Sequence, residues 1–331
     1  MFSQNVPRMR GLPPYVTALE HGIFAVDTGF YRDQFDAAYL LVHGGRAAFI
    51  DTGTNFAVPR LLDALQAVGL QADAVDWVIP THVHLDHAGG VGLLLQQLPG
   101  ARVLVHPRGA RHLVDPTRLW ASATAVYGAD EMARSYGALV PVAGNRVVHS
   151  SDGMSVQLAG RPLLLIDTPG HARHHHCIWD AASHGWFTGD TFGLSYREFD
   201  TARGAWVVPT STPVQFDPQA LLASIQRLLA RDPACMYLTH FGRVDDVQRL
   251  GAQLIGLVTQ MAELGARLQH APERHQALKD GQLAIFNRSL AQHGCTLESA
   301  RIAELLAIDL ELNAQGMAIW LDRAPARTDT A

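Results

Sequence analysis

The chain has 331 residues, of which 48% are hydrophobic and 17% charged, and its formal net charge is -5. This composition allows a large buried core and disfavours both disorder and a general nucleic-acid-binding surface. No apolar run approaches the roughly 18 residues that a membrane span needs, and the N-terminal stretch MFSQNVPRMRGLPPY lacks the apolar segment of a signal peptide. The three cysteines (Cys177, Cys235 and Cys295) are far apart in the sequence, which predicts a reducing, cytoplasmic location without disulfides.

Residues 15–245 alternate between short apolar strands, turns and helices. Strands that return after helices indicate a layered α/β architecture, and two strand-rich stretches suggest two similar halves that face each other. The predicted strands are Val16–Val26, Ala38–Val42, Ala47–Ile50, Trp77–Ile79, Val103–Val105, Val147–Val148, Ser155–Leu158, Leu163–Ile166, Cys177–Trp179, Gly185–Thr188 and Met236–Leu238. The predicted helices among them are Val58–Val68, Val91–Leu98 and Pro218–Leu229.

Residues 246–323 lose the strand pattern and predict helices instead. The segments Val247–Leu268, Pro272–Ala291 and Leu297–Leu321 each carry apolar residues at helical spacing. We expect a helical cap that packs on the α/β core. A lid over the site and a homodimer interface are the alternatives.

The stretch THVHLDHAGG, residues 81–90, concentrates side chains that bind metals. His82 and His84 alternate, so in an extended loop both point to one side. Asp86 and His87 follow at the point where the chain should turn into a helix. Because imidazole and carboxylate hold Zn²⁺, Mn²⁺ or Fe, this run predicts part of a metal site.

Three later segments place a residue of the same kind directly after an apolar strand. LLLIDTPGH ends in His171, WFTGD ends in Asp190, and MYLTHFG contains His240. Because strand ends in a layered α/β fold share one rim, we expect these residues to join the first group. The set is too large for one tetrahedral site and suits two metal ions that share a carboxylate.

This ordered set of motifs resembles that of the metallo-β-lactamase superfamily over roughly residues 16–243. The resemblance implies an αββα four-layer sandwich with the site between the sheets, here followed by an all-helical C-terminal extension. The motif HxHxDH is matched by His82, His84, Asp86 and His87, the later motifs by His171, Asp190 and His240, and the first motif by FIDTG with Asp51.

The resemblance also implies a role for each motif residue. Asp190 would bridge two divalent ions, and Asp51 would orient the site without binding metal. His174 is the best candidate for a partner that orients a metal-bound imidazole. Zinc is the expected metal, with manganese or iron as alternatives. The first ion would be held by His82, His84 and His171, and the second by Asp86, His87 and His240.

Two such ions predict a hydrolase of an ester, thioester or lactone, as in the glyoxalase II and lactonase branches of the superfamily. A hydroxide available near neutral pH would attack the carbonyl carbon, and the second ion would polarise the substrate oxygen. By resemblance, Asp86 would help to transfer a proton to the leaving group and Asp190 would complete the catalytic pair. The alternatives are a mono-iron persulfide dioxygenase, a phosphodiester hydrolase and a metal-loaded regulatory protein.

The expected partner is a small-molecule substrate, without nucleic acid or membrane. The aromatic segments Phe192–Pro213 and Trp120–Tyr136 are the predicted walls of its pocket. Tyr196 could contact the substrate there, although a tyrosine packed in a loop is the more frequent interpretation.

Overall fold

The computed structural model describes residues 11–211 and 214–323. Residues 1–10, which carry most of the stretch used to argue against a signal peptide, lie outside these ranges, as does Pro213 at the end of one predicted pocket wall. Within the described part, no helix combines the length and the apolar character needed to cross a membrane.

The described chain alternates strands and helices up to β13 and is helical from there on. Its strands are β1 (Val16–Ala18), β2 (Ile23–Asp27), β3 (Ala37–His43), β4 (Arg46–Ile50), β5 (Val75–Ile79), β6 (Arg102–Val105), β7 (Val147–His149), β8 (Ser155–Leu158), β9 (Arg161–Asp167), β10 (His176–Asp180), β11 (Gly185–Gly189), β12 (Cys235–Leu238) and β13 (Gly242–Val244). Its helices are α1 (Val58–Ala67), α2 (Leu85–Ala88), α3 (Val91–Gln97), α4 (Pro107–Val114), α5 (Thr117–Tyr127), α6 (Ala129–Glu131), α7 (Pro218–Leu229), α8 (Val247–Leu268), α9 (Arg274–His293), α10 (Ser299–Leu305) and α11 (Ala307–Arg323).

The strands form two mixed sheets. The first sheet has the order β1-β2-β3-β4-β5-β6-β7 and the second has the order β13-β12-β11-β10-β9-β8. Strands β4 and β5 run parallel, and so do β11 and β12. Strand β9 runs in the same direction as β11, because both are antiparallel to β10.

Alternate residues of the central strands face different cores, as the pleat of a strand requires. In β3, Tyr39 points between the two sheets while Leu40 points toward α1, α3 and α4. In β10, Ile178 points between the sheets while Trp179 points to the opposite side, toward the C-terminal helices. The layers are therefore helices, sheet, sheet, helices, and the predicted αββα sandwich with a helical C-terminal region is confirmed.

The C-terminal helices share one hydrophobic cluster with the second sheet. This cluster runs from Trp186 in β11 through Ile225 in α7 to Leu250 in α8, Phe286 in α9 and Met317 in α11, all of them fully or almost fully buried. Burial of apolar surface contributes about 25 cal/mol per Å², so a face of this extent stabilises the docking of the helices strongly. Helices α8, α9 and α11 therefore pack on the second sheet, and the division of the chain at residue 245 into a core and a cap stays a prediction.

Two predicted elements are divided in the structure. The predicted strand Val16–Val26 is a hairpin, because positive φ angles at His21 and Gly22 reverse the chain between β1 and β2. The predicted helix Leu297–Leu321 breaks at Leu306, whose backbone angles are not helical. In both cases the apolar spacing continues across the break, so the sequence pattern alone does not reveal it.

Gly170 sets the position of the histidine that follows it. Its φ is +134°, and a Cβ there would lie 2.3 Å from the backbone N and Cα of Leu221 in α7. We expect Gly170→Ala to lower the free energy of unfolding by about 2 kcal/mol or more, because either α7 or the turn that carries His171 must move. Denaturant titration measures this loss.

Gly256→Ala is the matched control for this measurement. Gly256 lies within α8, and a Cβ there would meet no atom within 4 Å. Alanine should therefore be neutral or stabilising by up to about 1 kcal/mol, through its higher helix propensity. Equal stabilities of the two variants would contradict the steric argument at Gly170.

Candidate metal centre

The ends of five strands bring the predicted metal-binding segments to one edge of the sandwich. Asp51 follows β4, and the run from His82 to His87 follows β5. In the second sheet, His171 follows β9, Asp190 follows β11 and His240 follows β12. Because β4 and β5 are parallel, and β9, β11 and β12 share a direction, these C-terminal ends meet at the same rim.

A first group is formed by His82, His84, His171 and Asp190, whose ligand atoms all lie within 4.8 Å of one another. Nε2 of His82 is 2.7 Å from Nδ1 of His84, and Nε2 of His171 is 3.2 Å from Oδ2 of Asp190. His82, His171 and Asp190 are buried. The arrangement brings together the residues that the sequence assigns to the first ion.

A second group is formed by Asp86, His87 and His240 under the same distance limit. Nε2 of His240 lies 3.4 Å from Oδ2 of Asp86. Nε2 of His87 lies 3.8 Å from the same oxygen. These are the residues that the sequence assigns to the second ion.

Asp190 stands between the two groups and turns one oxygen to each. Its Oδ2 lies 3.2 Å from Nε2 of His171 and 4.0 Å from Nε2 of His82. Its Oδ1 lies 3.3 Å from Nε2 of His87 and 3.9 Å from Nε2 of His240. A carboxylate in this position has the geometry that a bridge between two cations requires.

Two buried polar atoms of the site are not satisfied by hydrogen bonds within the protein. Among the described residues, Nε2 of His87 and Oδ1 of Asp190 are buried and face each other at 3.3 Å, but neither has a hydrogen bond of good geometry. An unpaired buried polar atom costs roughly 1–3 kcal/mol, so such atoms indicate a missing partner. Imidazole nitrogens and carboxylate oxygens directed at one another fit a divalent ion such as zinc, manganese or iron.

The protein also fixes which ring nitrogen of each histidine faces the site. In four of these rings Nδ1 lies near an oxygen atom, and Nε2 is left for the metal position. The contacts are His82 to Oγ1 of Thr81 at 3.2 Å, His87 to Oδ2 of Asp51 at 2.9 Å, His171 to the carbonyl of Thr210 at 3.3 Å, and His240 to the carbonyl of Phe35 at 2.9 Å.

Asp51 lies directly behind the site and does not belong to either group. Its Oδ1 accepts hydrogen bonds from the backbone N–H and the hydroxyl of Thr81, at 2.7 and 3.0 Å. Its Oδ2 accepts a hydrogen bond from the hydroxyl of Thr239 at 2.7 Å and contacts His87. This is the position of a residue that orients the ligands from behind.

Burial and neighbouring charges set the protonation of the ligands. Burial, followed by the nearby rings of His87 and His84, lowers the pKa of His82 well below its usual range, so this ring is neutral and able to bind a cation. Burial alone would lower the pKa of His87, but the carboxylates of Asp190, Asp86 and Asp51 raise it well above its usual range. A bound cation would take the place of the proton on His87.

Within the HHH run, His175 makes more polar contacts beside the ligand groups than His174, the histidine predicted to orient a ligand. The predicted residue, His174, has one hydrogen-bond contact, 3.5 Å from the backbone N–H of Val83, and packs against the rings of His82 and His84. His175 instead accepts a hydrogen bond from the backbone N–H of Asp190 at 3.2 Å and stacks on His82. Its other ring nitrogen contacts Thr168 and Thr191.

Loss of the His175 side chain should therefore weaken metal binding more than loss of the His174 side chain. We expect His175→Ala to weaken metal affinity by about 10- to 100-fold, because it frees the backbone beside Asp190 and removes the ring that supports His82. His174→Ala, in the adjacent position, is the control and should have a clearly smaller effect. Competition with a chromogenic chelator measures both, and equal losses would contradict the assignment.

A cleft of about 190 Å³ opens beside the two groups. Both predicted walls contribute to it, through Tyr127 and Tyr136 on one side and Leu194 and Tyr196 on the other. Tyr196 is fully buried, and its hydroxyl donates a hydrogen bond to Asp309 at 3.1 Å rather than pointing to the metal position. The described residues that line the cleft include no lysine or arginine.

The rim of this cleft is apolar as well. Tyr31, Val126, Val214 and Ile308 line it, and each is 40–50% exposed. They come from four separate parts of the chain, including α5 and α11. Apolar side chains that gather around one opening, rather than scatter over the surface, indicate a binding site.

Several residues of this site carry no motif that marks them in the sequence. Thr81 and Thr239 each stand directly before a ligand histidine at a strand end, and this repeated Thr-His pair is a signal that could have been recognised. Ile308, Asp309 and Leu312 line the cleft from α11. No local pattern in the sequence connects them to a site whose other residues lie so far away in the chain.

Comparison with known proteins agrees with this geometry. The family model of the metallo-β-lactamase superfamily matches residues 32–240, so the chain belongs to this superfamily and the predicted resemblance is confirmed. The solved structure of an archaeal superfamily protein from Sulfolobus tokodaii aligns with a TM-score of 0.60 and 26% identity, over 72% of this chain and 86% of that one. A metallo-β-lactamase family protein from Thermus thermophilus shares the fold with a TM-score of 0.63 at 24% identity, over 88% of this chain and 95% of that one.

Three further relatives match this chain over less than two thirds of their own length. A hydroxyacylglutathione hydrolase of Acidiphilium cryptum is 31% identical over 61% of this chain and 62% of its own length. An acyl-coenzyme A thioesterase of Gallus gallus is 32% identical over 52% of this chain and 63% of its own. A metallo-β-lactamase fold-containing protein of Sulfurisphaera tokodaii is 31% identical over 52% of this chain and, like the first, is matched over 62% of its length.

Asp190 provides a direct test of the shared-carboxylate geometry. We expect Asp190→Asn to lower the metal content below that of the wild type, because an amide oxygen is a weaker ligand than a carboxylate and only one group would still face an oxygen of residue 190. Elemental analysis of protein purified without added metal measures this. Asp167→Asn, which alters a carboxylate 3.2 Å from His106 and outside both groups, is the control. An Asp190→Asn variant with wild-type metal content would overturn the bridging role.

Proposed function

We propose that the protein is a dinuclear metallohydrolase that cleaves an ester, thioester or lactone with an uncharged, largely apolar acyl part. The observation that carries this proposal is the position of Asp190, with one oxygen directed to each of two complete ligand groups beside an open cleft. The superfamily and the hydroxyacylglutathione hydrolase and thioesterase among its relatives support hydrolysis.

The lining of the cleft supports the choice of substrate. Its walls are aromatic and aliphatic, and the described residues that line it include no lysine or arginine. A phosphate or carboxylate placed away from the metal position would meet Asp309 without a lysine or arginine to offset the repulsion. A neutral acyl group, by contrast, gains about 0.8 kcal/mol for each methylene that it buries.

Different residues of the chain have different roles in the proposed reaction. Two bound divalent ions would supply a water nucleophile at neutral pH and polarise the carbonyl of the substrate. Asp190 and the five histidines hold the reacting groups in place, and the apolar walls exclude bulk water. Asp86 lines the cleft with its side chain 25% exposed and lies beside His240, so it can pass a proton toward the leaving group.

The remaining expectations about partners rest on the sequence. The net charge of -5 and a cleft whose described lining residues include no lysine or arginine support a small-molecule substrate rather than nucleic acid. A homodimer through α8–α11 and a cytoplasmic location stay predictions.

The proposal is tested with the metal-loaded protein and a panel of p-nitrophenyl esters, S-acyl thioesters and γ-lactones, with bis(p-nitrophenyl) phosphate as the phosphodiester comparison. We expect turnover of at least one carbonyl class, loss of turnover on chelation, and recovery with zinc or manganese. One equivalent of iron together with oxygen uptake on a persulfide would replace the hydrolase by a dioxygenase. Turnover of the phosphodiester alone would move the reaction to phosphorus.

A further inference from the structure

The polar groups that line the cleft away from the metal position are mostly occupied within the protein. Ser211 bonds to Asn313 through both its backbone N–H and its hydroxyl, and the hydroxyl of Tyr196 donates to Oδ1 of Asp309. Among the described residues that line the cleft, two side-chain oxygens are buried without a hydrogen-bond partner: Oδ1 of Asp190 and Oδ2 of Asp309. The first is directed at the metal position, so the second is the one that remains to be explained.

Asp309 is an unusual residue for its surroundings. It lies in the first turn of α11, is 7% exposed, and stands between the cleft-lining residues Ile308 and Leu312. None of the described cationic side chains forms an ion pair with it, since the nearby Arg32, packed over the ring of Tyr196, pairs with Glu198 at 3.0 Å. A carboxylate buried in an apolar wall with one hydrogen bond is costly unless a further donor reaches it.

We propose that Oδ2 of Asp309 accepts a hydrogen bond from an N–H or O–H group of the bound substrate, which makes α11 part of the substrate-binding site. This inference rests on the proposed hydrolase and narrows its substrate class to an acyl compound that carries one hydroxyl, amide or ammonium donor on an otherwise apolar part. Asp309 is a specificity residue in this proposal, because it contacts the part of the substrate that is not cleaved.

The chemistry of the Asp309 carboxylate supports a large difference in affinity between ligands with and without a hydrogen-bond donor. Burial raises the pKa of Asp309 to about 6, so above pH 7 the side chain is ionised and can only accept. A hydrogen bond to a charged group is stronger than one between neutral groups, and an analogue without the donor leaves a buried charge unpaired. A site of this kind rejects such analogues far more strongly than an apolar pocket rejects a missing methylene.

The test is isothermal titration calorimetry of the metal-loaded protein at pH 7.5, with small acids that resemble hydrolysis products. The ligands are butanoate, its 2-, 3- and 4-hydroxy derivatives, and 4-aminobutanoate, so that a neutral donor and a cationic donor are separate arms. The variants are Asp309→Asn, which places an N–H where the acceptor was, and Asp309→Leu, which removes the polar group. Glu311→Gln on the same helix, whose partners are Lys279 and His275, is the acid-to-amide control.

We expect at least one donor-bearing acid to bind the wild type about tenfold or more tightly than butanoate. This advantage should fall below about twofold in both Asp309 variants and persist in Glu311→Gln. Metal content and thermal unfolding of each variant confirm that the site is intact, and the Asn variant keeps the inference testable if the Leu variant does not fold.

An equal affinity for all the acids in the wild type, or an advantage that survives in the Asp309 variants, would overturn the inference. So would the absence of any binding. None of these outcomes affects the proposed hydrolase, which is judged by turnover of the ester, thioester and lactone panel.

Discussion

One buried carboxylate, that of Asp51, holds the candidate metal centre together. It accepts hydrogen bonds from Thr81 and Thr239, which directly precede His82 and His240, and it contacts the ring of His87. A single side chain at the end of β4 thereby joins ligand-bearing segments from both sheets. The φ of +54° at Asp51 is a backbone conformation that costs a non-glycine residue about 1–2 kcal/mol, and these bonds offset the cost.

The groups that could hold metal and the walls of the cleft come from different parts of the molecule. The ligand groups are built at strand ends, where the two sheets fix their spacing. The walls of the cleft come from α5, α11 and the segments around Phe30 and Leu194, which lie outside the sheets. Side chains in these walls can change without moving a ligand, which is how one fold comes to serve many substrates.

The layered α/β architecture and the gathering of His and Asp side chains at one rim follow from local patterns in the sequence, whereas the αββα sandwich and the division of these side chains into two groups are implied by the family resemblance. Apolar strands that end in His or Asp are short, repeated signals, and parallel strands carry their ends to one rim. The supporting role of His175 does not follow in this way, since three adjacent histidines look alike until the backbone turns each to a different neighbour. The position of Asp309 in the cleft could not be predicted either, because it depends on how α11, at the far end of the chain, packs beside the ligand groups.

The order of segments along the chain means that the ligand residues are synthesised before the last wall of the cleft. Synthesis proceeds from the N-terminus, and domains generally fold as they emerge from the ribosome. Every ligand of the two groups, up to His240, leaves the ribosome before α11, which carries Ile308, Asp309 and Leu312. The candidate metal-binding residues are therefore synthesised while the cleft is still open on one side, and the last helix completes its wall.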